Sequence, residues 1–341
     1  MAGDTGAMQN DHQTTGHPAP LRLSIAMATY NGARFLQAQL DSFTAQTRRP
    51  DELVVCDDGS SDATMDILHA YAASAPFEVR VVRNEVNLGY KRNFEKALSL
   101  CTGDIVFLSD QDDVWLPAKL ERVEAEFRAD PLIMEISNDM IITDASLNHG
   151  NVTQLGNVRA SGAGDKRFAF GCAMALRKEM LALLFPFPVE DFSHDGWIAD
   201  ACGSIGVRRI LDEPLQLYRR HDSNGSNSFL SDTNKVTTRT MVAQLDLSSP
   251  LSGWDPHFKM IAVKRNWVTQ RRAELEKLGL TDRVEPLLHE LQSEETDIRA
   301  RLALLRTPRL RRAPGVIAFW ASGRYRRFTG WKSALKDLIR P

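Results

Sequence analysis

The chain has 341 residues and a nearly balanced charge, 42 Lys and Arg against 44 Asp and Glu. That length covers one well-buried core of about 200 residues plus an appendage. The net charge of −2 argues against a protein that coats nucleic acid, and no run of about 18 apolar residues is present to span a membrane.

Residues 1–20 are polar and lack both the basic start and the apolar stretch of a signal peptide, so a disordered tail is expected. From Leu21 short apolar runs alternate with helical periodicity, which predicts an α/β fold: a mostly parallel central sheet with helices on both faces. The predicted strands are LRLSIAMA (21–28), ELVVC (52–56), VRVV (79–82) and DIVFL (104–108). Predicted helices cover 33–47, 62–73 behind the capping candidates Ser60 and Ser61, and 90–101. In the last, Phe94, Ala97, Leu98 and Cys101 fall on one face, and Gly103 ends it.

Three polar clusters, TYNG (29–32), DDGSSD (57–62) and SDQDDVW (109–115), therefore sit just past the carboxyl end of a strand, the edge where open α/β sheets bind ligands. Asp110, Asp112 and Asp113 repel one another, and carboxylates at a strand end suit a hard cation, Mg²⁺ or Mn²⁺, completed by substrate phosphates. Asp113 could instead only cap the next helix, whose core positions are Leu116, Leu120, Val123 and Phe127.

Residues 139–164 read as a loop-rich excursion with room for short strands, and 168–180 as a strand or turn entering a helix. VEDFSHDGWIADACG (189–203) offers Glu190, Asp191, His194, Asp195 and Asp200. Past Asn227, stripes through Phe258, Ile261 and Val268, and through Val284, Leu287, Leu291, Ile298 and Leu305, predict an antiparallel helical pair turning near 278–282. The expected organisation is a tail (1–20), a catalytic domain (21–233) and a helical extension (234–341). Cys56, Cys101, Cys172 and Cys202 lack metal or redox spacing and are too sparse for a disulfide scaffold, which fits a reducing, cytosolic setting.

From residue 306 onward ten Lys or Arg face one acid, Asp337, with Phe319, Trp320, Tyr325, Phe328 and Trp331 among them. Such a segment suits peripheral contact with the anionic inner face of a membrane. It equally suits a helix that packs its aromatics on the catalytic domain and leaves its charges in water.

Taken together and in order, SIAMATYNG, ELVVCDDGSSDAT, NLGYKRNFEKAL and GDIVFLSDQDDVW resemble the nucleotide-sugar-binding half of glycosyltransferase family 2, whose fold is called GT-A. The resemblance is strong over roughly the first 120 ordered residues and looser to about Asn227. It implies that Thr29, Tyr30 and Asn31 line the nucleotide pocket and that Asp58 accepts a hydrogen bond from a uracil or thymine imide. It further implies that Arg92 lies near the donor, that Asp110 sits at the ribose and metal, and that Asp112 ligates the metal. His221 matches a histidine that completes the metal site in many relatives.

Asp195 matches the family's base, the second residue of an acidic pair that opens a helix; where many members have an acid, this chain has His194. Residues 216–220, QLYRR, partly echo the QxxRW of processive sugar polymerases but lack the Trp, so a single addition is expected. The implied activity is inverting, metal-dependent transfer of one hexose from a pyrimidine-nucleotide diphosphate sugar to a glycan or lipid-linked acceptor. The chain end resembles rhamnosyltransferase-like members, which suggests dTDP-rhamnose and cell-surface polysaccharide synthesis. Two rivals stand beside this reading. DxDxV after an apolar strand is also the motif of haloacid-dehalogenase-type phosphatases, with Asp110 as nucleophile, although that family carries it on its first strand. The other is a nucleotide-sugar-binding relative without turnover.

Overall fold

A computed structural model describes residues 20–162, 164–188, 192–222, 254–328 and 330–339. The first half is built as its periodicity predicts. Strands β1 (Leu23–Thr29), β2 (Glu52–Asp57), β3 (Glu78–Arg83) and β4 (Ile105–Ser109) pair in parallel in the order β3-β2-β1-β4. Between them run α1 (Ala33–Thr44), α2 (Thr64–Ala72) and α3 (Tyr90–Leu100). Alternate strand residues face opposite sides of the sheet. Leu23, Ile25, Met27, Leu53, Val55, Ile105 and Phe107 pack with α1 and α2, whereas Ala26, Val54, Cys56, Val106 and Leu108 pack with Phe94, Ala97 and Leu98 of α3.

The chain continues through β5 (Val114–Trp115), α4 (Lys119–Ala129), β6 (Glu135–Thr143), α5 (Gln154–Ala160), β7 (Met174–Arg177), α6 (Lys178–Leu184), α7 (His194–Ser204) and β8 (Arg208–Arg219). They extend the sheet to β3-β2-β1-β4-β7-β6-β8-β5. β7 is antiparallel to both β4 and β6, β5 is antiparallel to β8, and β6 and β8 are parallel.

Three expectations are corrected here. Residues 139–164 contain the end of β6 and a helix, α5, capped by the Thr153 side chain, which accepts from the Gly156 N–H. β6 is buried along nearly its whole length, so it lacks the alternation that marks a half-exposed strand. Ser60 and Ser61 do not cap α2; Asp62 accepts from the Thr64 N–H there, while Ser60 and Ser61 bind Asn31. Leu116 precedes α4 rather than lying within it. β8, not anticipated, is rich in charge; its Arg208 pairs at 2.7 Å with the buried Glu135, and its Pro214 falls where the β6–β8 register shifts.

In the extension, α8 (Asp255–Gln270) and α9 (Arg272–Lys277) turn at 278–280 into α10 (Thr281–Leu305). Ion pairs Arg265–Glu295 and Arg272–Glu285 step in opposite directions along the two arms, the register of the antiparallel pair expected. Ile261, Trp267, Val268, Leu287 and Leu291 share one core with Trp197 and Ile198 of α7, so the pair is fused to the α3 side of the sheet. The 233/234 boundary and residues 1–19 lie outside the described residues.

Helices α11 (Arg309–Ala321) and α12 (Trp331–Ile339) are the last described elements. Phe319, Tyr325 and Phe328 pack against Ala300 and Leu304 of α10, whereas Trp320 and Trp331 stay exposed. The basic end therefore sets its aromatics in two directions. No described helix is long and apolar enough to cross a membrane.

Glu52, fully buried at the opposite end of β2 from the ligand edge, shows how that end is tied. Burial alone would raise its pKa, but its carboxylate accepts from the Ser24 hydroxyl, from the N–H and hydroxyl of Thr102, and from Arg80, which together hold it down to about 2. A carboxyl lowered on folding stabilises the fold above its ordinary pKa of 4.5, and that contribution is lost as pH falls toward about 2. In acid titrations followed by circular dichroism, Glu52→Gln should be less stable than the parent at pH 7 and show a shallower loss below pH 4.5. Parallel curves would show that Glu52 carries none of the acid dependence.

Candidate active site

The carboxyl ends of β1, β2 and β4 bring the three polar clusters to one edge, as expected. The Thr29–Gly32 turn needs a left-handed residue, supplied by Asn31 at φ 48°. The Asn31 amide oxygen accepts from the Ser61 N–H, and its N–H donates to the Ser60 hydroxyl. Gln111 clamps the turn from above: its amide oxygen accepts from the Tyr30 N–H at 2.9 Å and its amide nitrogen donates to the Tyr30 carbonyl at 3.1 Å. A Cβ on Gly32 would fall 2.2 Å from that oxygen, so a larger residue here would displace the Gln111 side chain from the turn. Thr29 is buried and donates to Asp57, shaping the turn from beneath, while Tyr30 is 52% exposed.

Tyr30 and Asp58 line a cleft of about 540 Å³ with Gly59, Arg83, Asn84 and residues 85–87. The buried Asp58 carboxylate accepts from Asn84 Nδ2, the Leu88 N–H and the Gly89 N–H, all at 2.8–2.9 Å. Those donors fix its orientation and leave lone-pair capacity for one more. Arg92 does not line this cleft. It bonds Glu95 and the Phe187 carbonyl and lines a second cleft with Leu88, Lys96 and Phe185.

The acidic cluster divides its labour. Asp112 Oδ2 meets His221 Nε2 at 2.8 Å, and the His221 ring lies 4.5 Å from Phe35. Asp113 is fully buried and accepts from the Arg219 N–H and from Gln216 Nε2, so it secures β8 rather than capping α4. Asp110 stands between: burial first, then Asp112, Asp113 and Asp195, push its carboxyl well above the usual carboxylate range. Cys172 lies beside it, and ligand atoms of Asp110, Asp113 and Cys172 come within 4.8 Å of one another. Lys119, fully buried against the Trp115 ring, binds the Cys172 carbonyl and Gln216, and its burial lowers its pKa to about 7.

The donor set fits a hard divalent cation. Asp110 and Asp112 would offer carboxylate oxygens, and a cation's charge would relieve the mutual repulsion that helps to raise Asp110. Asp113 is committed to β8, and burial keeps the Cys172 thiol protonated.

Asp195 reaches the same place from another element. α7 opens at His194 behind Ser193, whose hydroxyl accepts from the Gly196 N–H. The Asp195 carboxylate accepts from the Gly171 N–H at 3.3 Å and from the Gly196 N–H at 2.7 Å, and it lies near enough to Asp110 to raise that carboxyl. His194 stacks on Phe94 at 4.5 Å, and among the described residues neither ring nitrogen has a hydrogen-bond partner. Burial lowers its pKa, so the ring is a neutral spacer; a Cβ on Gly171 would fall 2.7 Å from its Nε2. Asp200 is paired with Lys264 at 3.0 Å, and Glu190 and Asp191 lie outside the described residues.

Gln111, Asn84, Gln216, Arg219 and Lys119 were not anticipated as parts of the site. The first carries a readable signal in hindsight, an amide between two acids just past a strand.

Residues 24–184 match the model of the family described as "Glycosyl transferase family 2". The chain is 30% identical over 230 residues to an uncharacterized glycosyltransferase of Nostoc sp., covering 64% of this chain and 71% of that protein. It is 25% identical over 216 residues to the dTDP-rhamnosyl transferase RfbG of Shigella flexneri, covering 58% and 72%. Among solved structures, S. aureus TarS 1–349 in complex with UDP-GlcNAc shares the fold, with a TM-score of 0.50 at 16% identity over 93% of this chain and 90% of that one.

Proposed function

Because this chain belongs to glycosyl transferase family 2, we propose that it transfers one hexose, with inversion, from a pyrimidine-nucleotide diphosphate sugar to a glycan or lipid-linked acceptor. Rhamnose on thymidine diphosphate is the specific donor inferred, and cell-surface polysaccharide the product. A lipid-linked acceptor would set the enzyme at the inner face of the cell membrane. The observation that carries this reading is the convergence of carboxylates from two elements, Asp110 and Asp112 after β4 and Asp195 at the start of α7.

Inversion needs a base on the face opposite the leaving group, hence on a different segment from the groups that hold the diphosphate. Asp195 takes the acceptor proton as the anomeric carbon gains oxocarbenium character. Its two N–H donors hold it in one orientation during that step. The spare lone pair of Asp58 accepts the imide N–H of uracil or thymine, and Tyr30 covers the base. A divalent cation held by Asp110, Asp112 and His221 would neutralise the diphosphate as it departs. The phosphatase alternative is set aside by family membership, and Asp110 follows the fourth strand rather than the first.

Thermal-shift titrations of uridine, thymidine and guanosine diphosphate sugars, with and without Mn²⁺, test the donor. A pyrimidine donor at one hundred times its Kd should stabilise the fold by about 2.7 kcal/mol. That gain should require the ion, and Asp112→Asn should lose most of it. Equal shifts with guanosine donors, or shifts indifferent to Mn²⁺, would remove the roles given to Asp58 and Asp112.

A further inference from the structure

Helices α11 and α12 bury an ion pair beside their aromatic cluster: Asp337, fully buried, accepts two hydrogen bonds from Arg301 and one from the Tyr325 hydroxyl. The buried Arg312 donates to the Asp337 and Leu305 carbonyls. Outward point Leu310 (98% exposed), Ile317 and Trp320 on α11, and Trp331, Leu335 and Ile339 on α12. The spacings 310–317 and 331–335–339 place them on one stripe of each helix. These six are more than half of the large apolar side chains exposed among the described residues, so exposed apolar surface is concentrated on these two helices.

We propose that this face seats the protein on the surface of an anionic lipid bilayer. Charge selects the occupant. Arg306, Arg309, Arg311, Arg326, Lys332 and Lys336 have no acidic partner among the described residues, while the segment's one acid is spent inside. Two tryptophans beside aliphatic and basic side chains suit the headgroup boundary, where rings sit at the interface and cations reach the phosphates. A second copy of the chain is disfavoured, since a two-fold contact through this patch would set like charges against each other. Seating on a membrane is separate from sugar transfer: its loss leaves transfer to a water-soluble acceptor intact.

The test uses the full chain and sedimentation with vesicles of phosphatidylcholine alone or mixed with phosphatidylglycerol. Binding should favour the anionic vesicles by at least about tenfold and fall away between about 0.01 M and 1 M salt. Trp320 and Trp331 are the most exposed of the six tryptophans, so emission should shift to the blue on binding. The double substitution Trp320→Ser and Trp331→Ser, on exposed positions, should keep the circular dichroism spectrum and lower partitioning at least about tenfold. Replacing Arg309 and Arg311 by Gln should lower it about fivefold per charge. No sedimentation at low salt, or equal partitioning of the tryptophan variant, overturns the proposal. So does a concentration-dependent dimer, abolished by that variant, without vesicle binding; it would assign the face to a second copy.

Discussion

Asp195→Asn is expected to keep donor affinity and to slow transfer by roughly 10²–10⁴-fold, the contribution of a positioned general base. The asparagine oxygen can still accept one of the two N–H bonds from Gly171 and Gly196, so the start of α7 should hold its shape. What disappears is the ability to receive a proton, a loss felt in the transition state and not in the ground state, so kcat falls while donor Kd stays. Rapid-quench measurement of a single turnover, beside donor titration by calorimetry, separates the two. Transfer reduced less than about tenfold would place the base on another residue.

The second large effect is structural. Asp337→Asn should cost about 3–5 kcal/mol, the usual penalty for removing one member of a buried ion pair. Asp337 is fully buried and accepts three side-chain hydrogen bonds, from Arg301 Nε and Nη2 and from the Tyr325 hydroxyl. An amide turns an NH₂ group toward donors and leaves the buried Arg301 uncompensated. Burial and the Asp337 carboxylate both hold the Tyr325 phenol protonated as their donor, so the network cannot relax by ionising the ring. Hydrogen exchange should show α11 and α12 losing protection first, since their own cluster holds them on α10. A loss below about 1 kcal/mol would mean that packing alone holds them.

Local arguments worked where the information was local. The first four strands and three helices are readable because each strand buries alternate residues and each helix a 3.6-residue stripe, a pattern complete within ten residues or so. Periodicity places the acidic clusters just past such strands, while the roles of Asp58, Asp112 and Asp195 come from the resemblance to the family. β6 escaped because burial on both faces erases alternation, and β8 because the partner that makes Arg208 tolerable, Glu135, lies 73 positions upstream. Arg92 illustrates a different limit. α3 buries Phe94, Ala97 and Leu98, but the sequence does not say which flank of that helix faces the cleft lined by Tyr30 and Asp58, and the fold turns Arg92 toward Glu95.

By itself the sequence determined the family, the parallel half of the sheet, the edge that carries the acids and the helical character of the extension, all set by short periods and contiguous motifs. Only the tertiary structure decided which acid does what. Asp113 is consumed by Arg219, 106 positions away, Gln111 by Tyr30, 81 away, and Lys119 reaches the carbonyl of Cys172, 53 away. The same holds for the basic end, where one aspartate turned inward and six apolar side chains turned outward. Hydrogen-bond partners and burial are properties of neighbours in space, and a chain whose described residues cross one sheet eight times makes those neighbours from residues far apart in order.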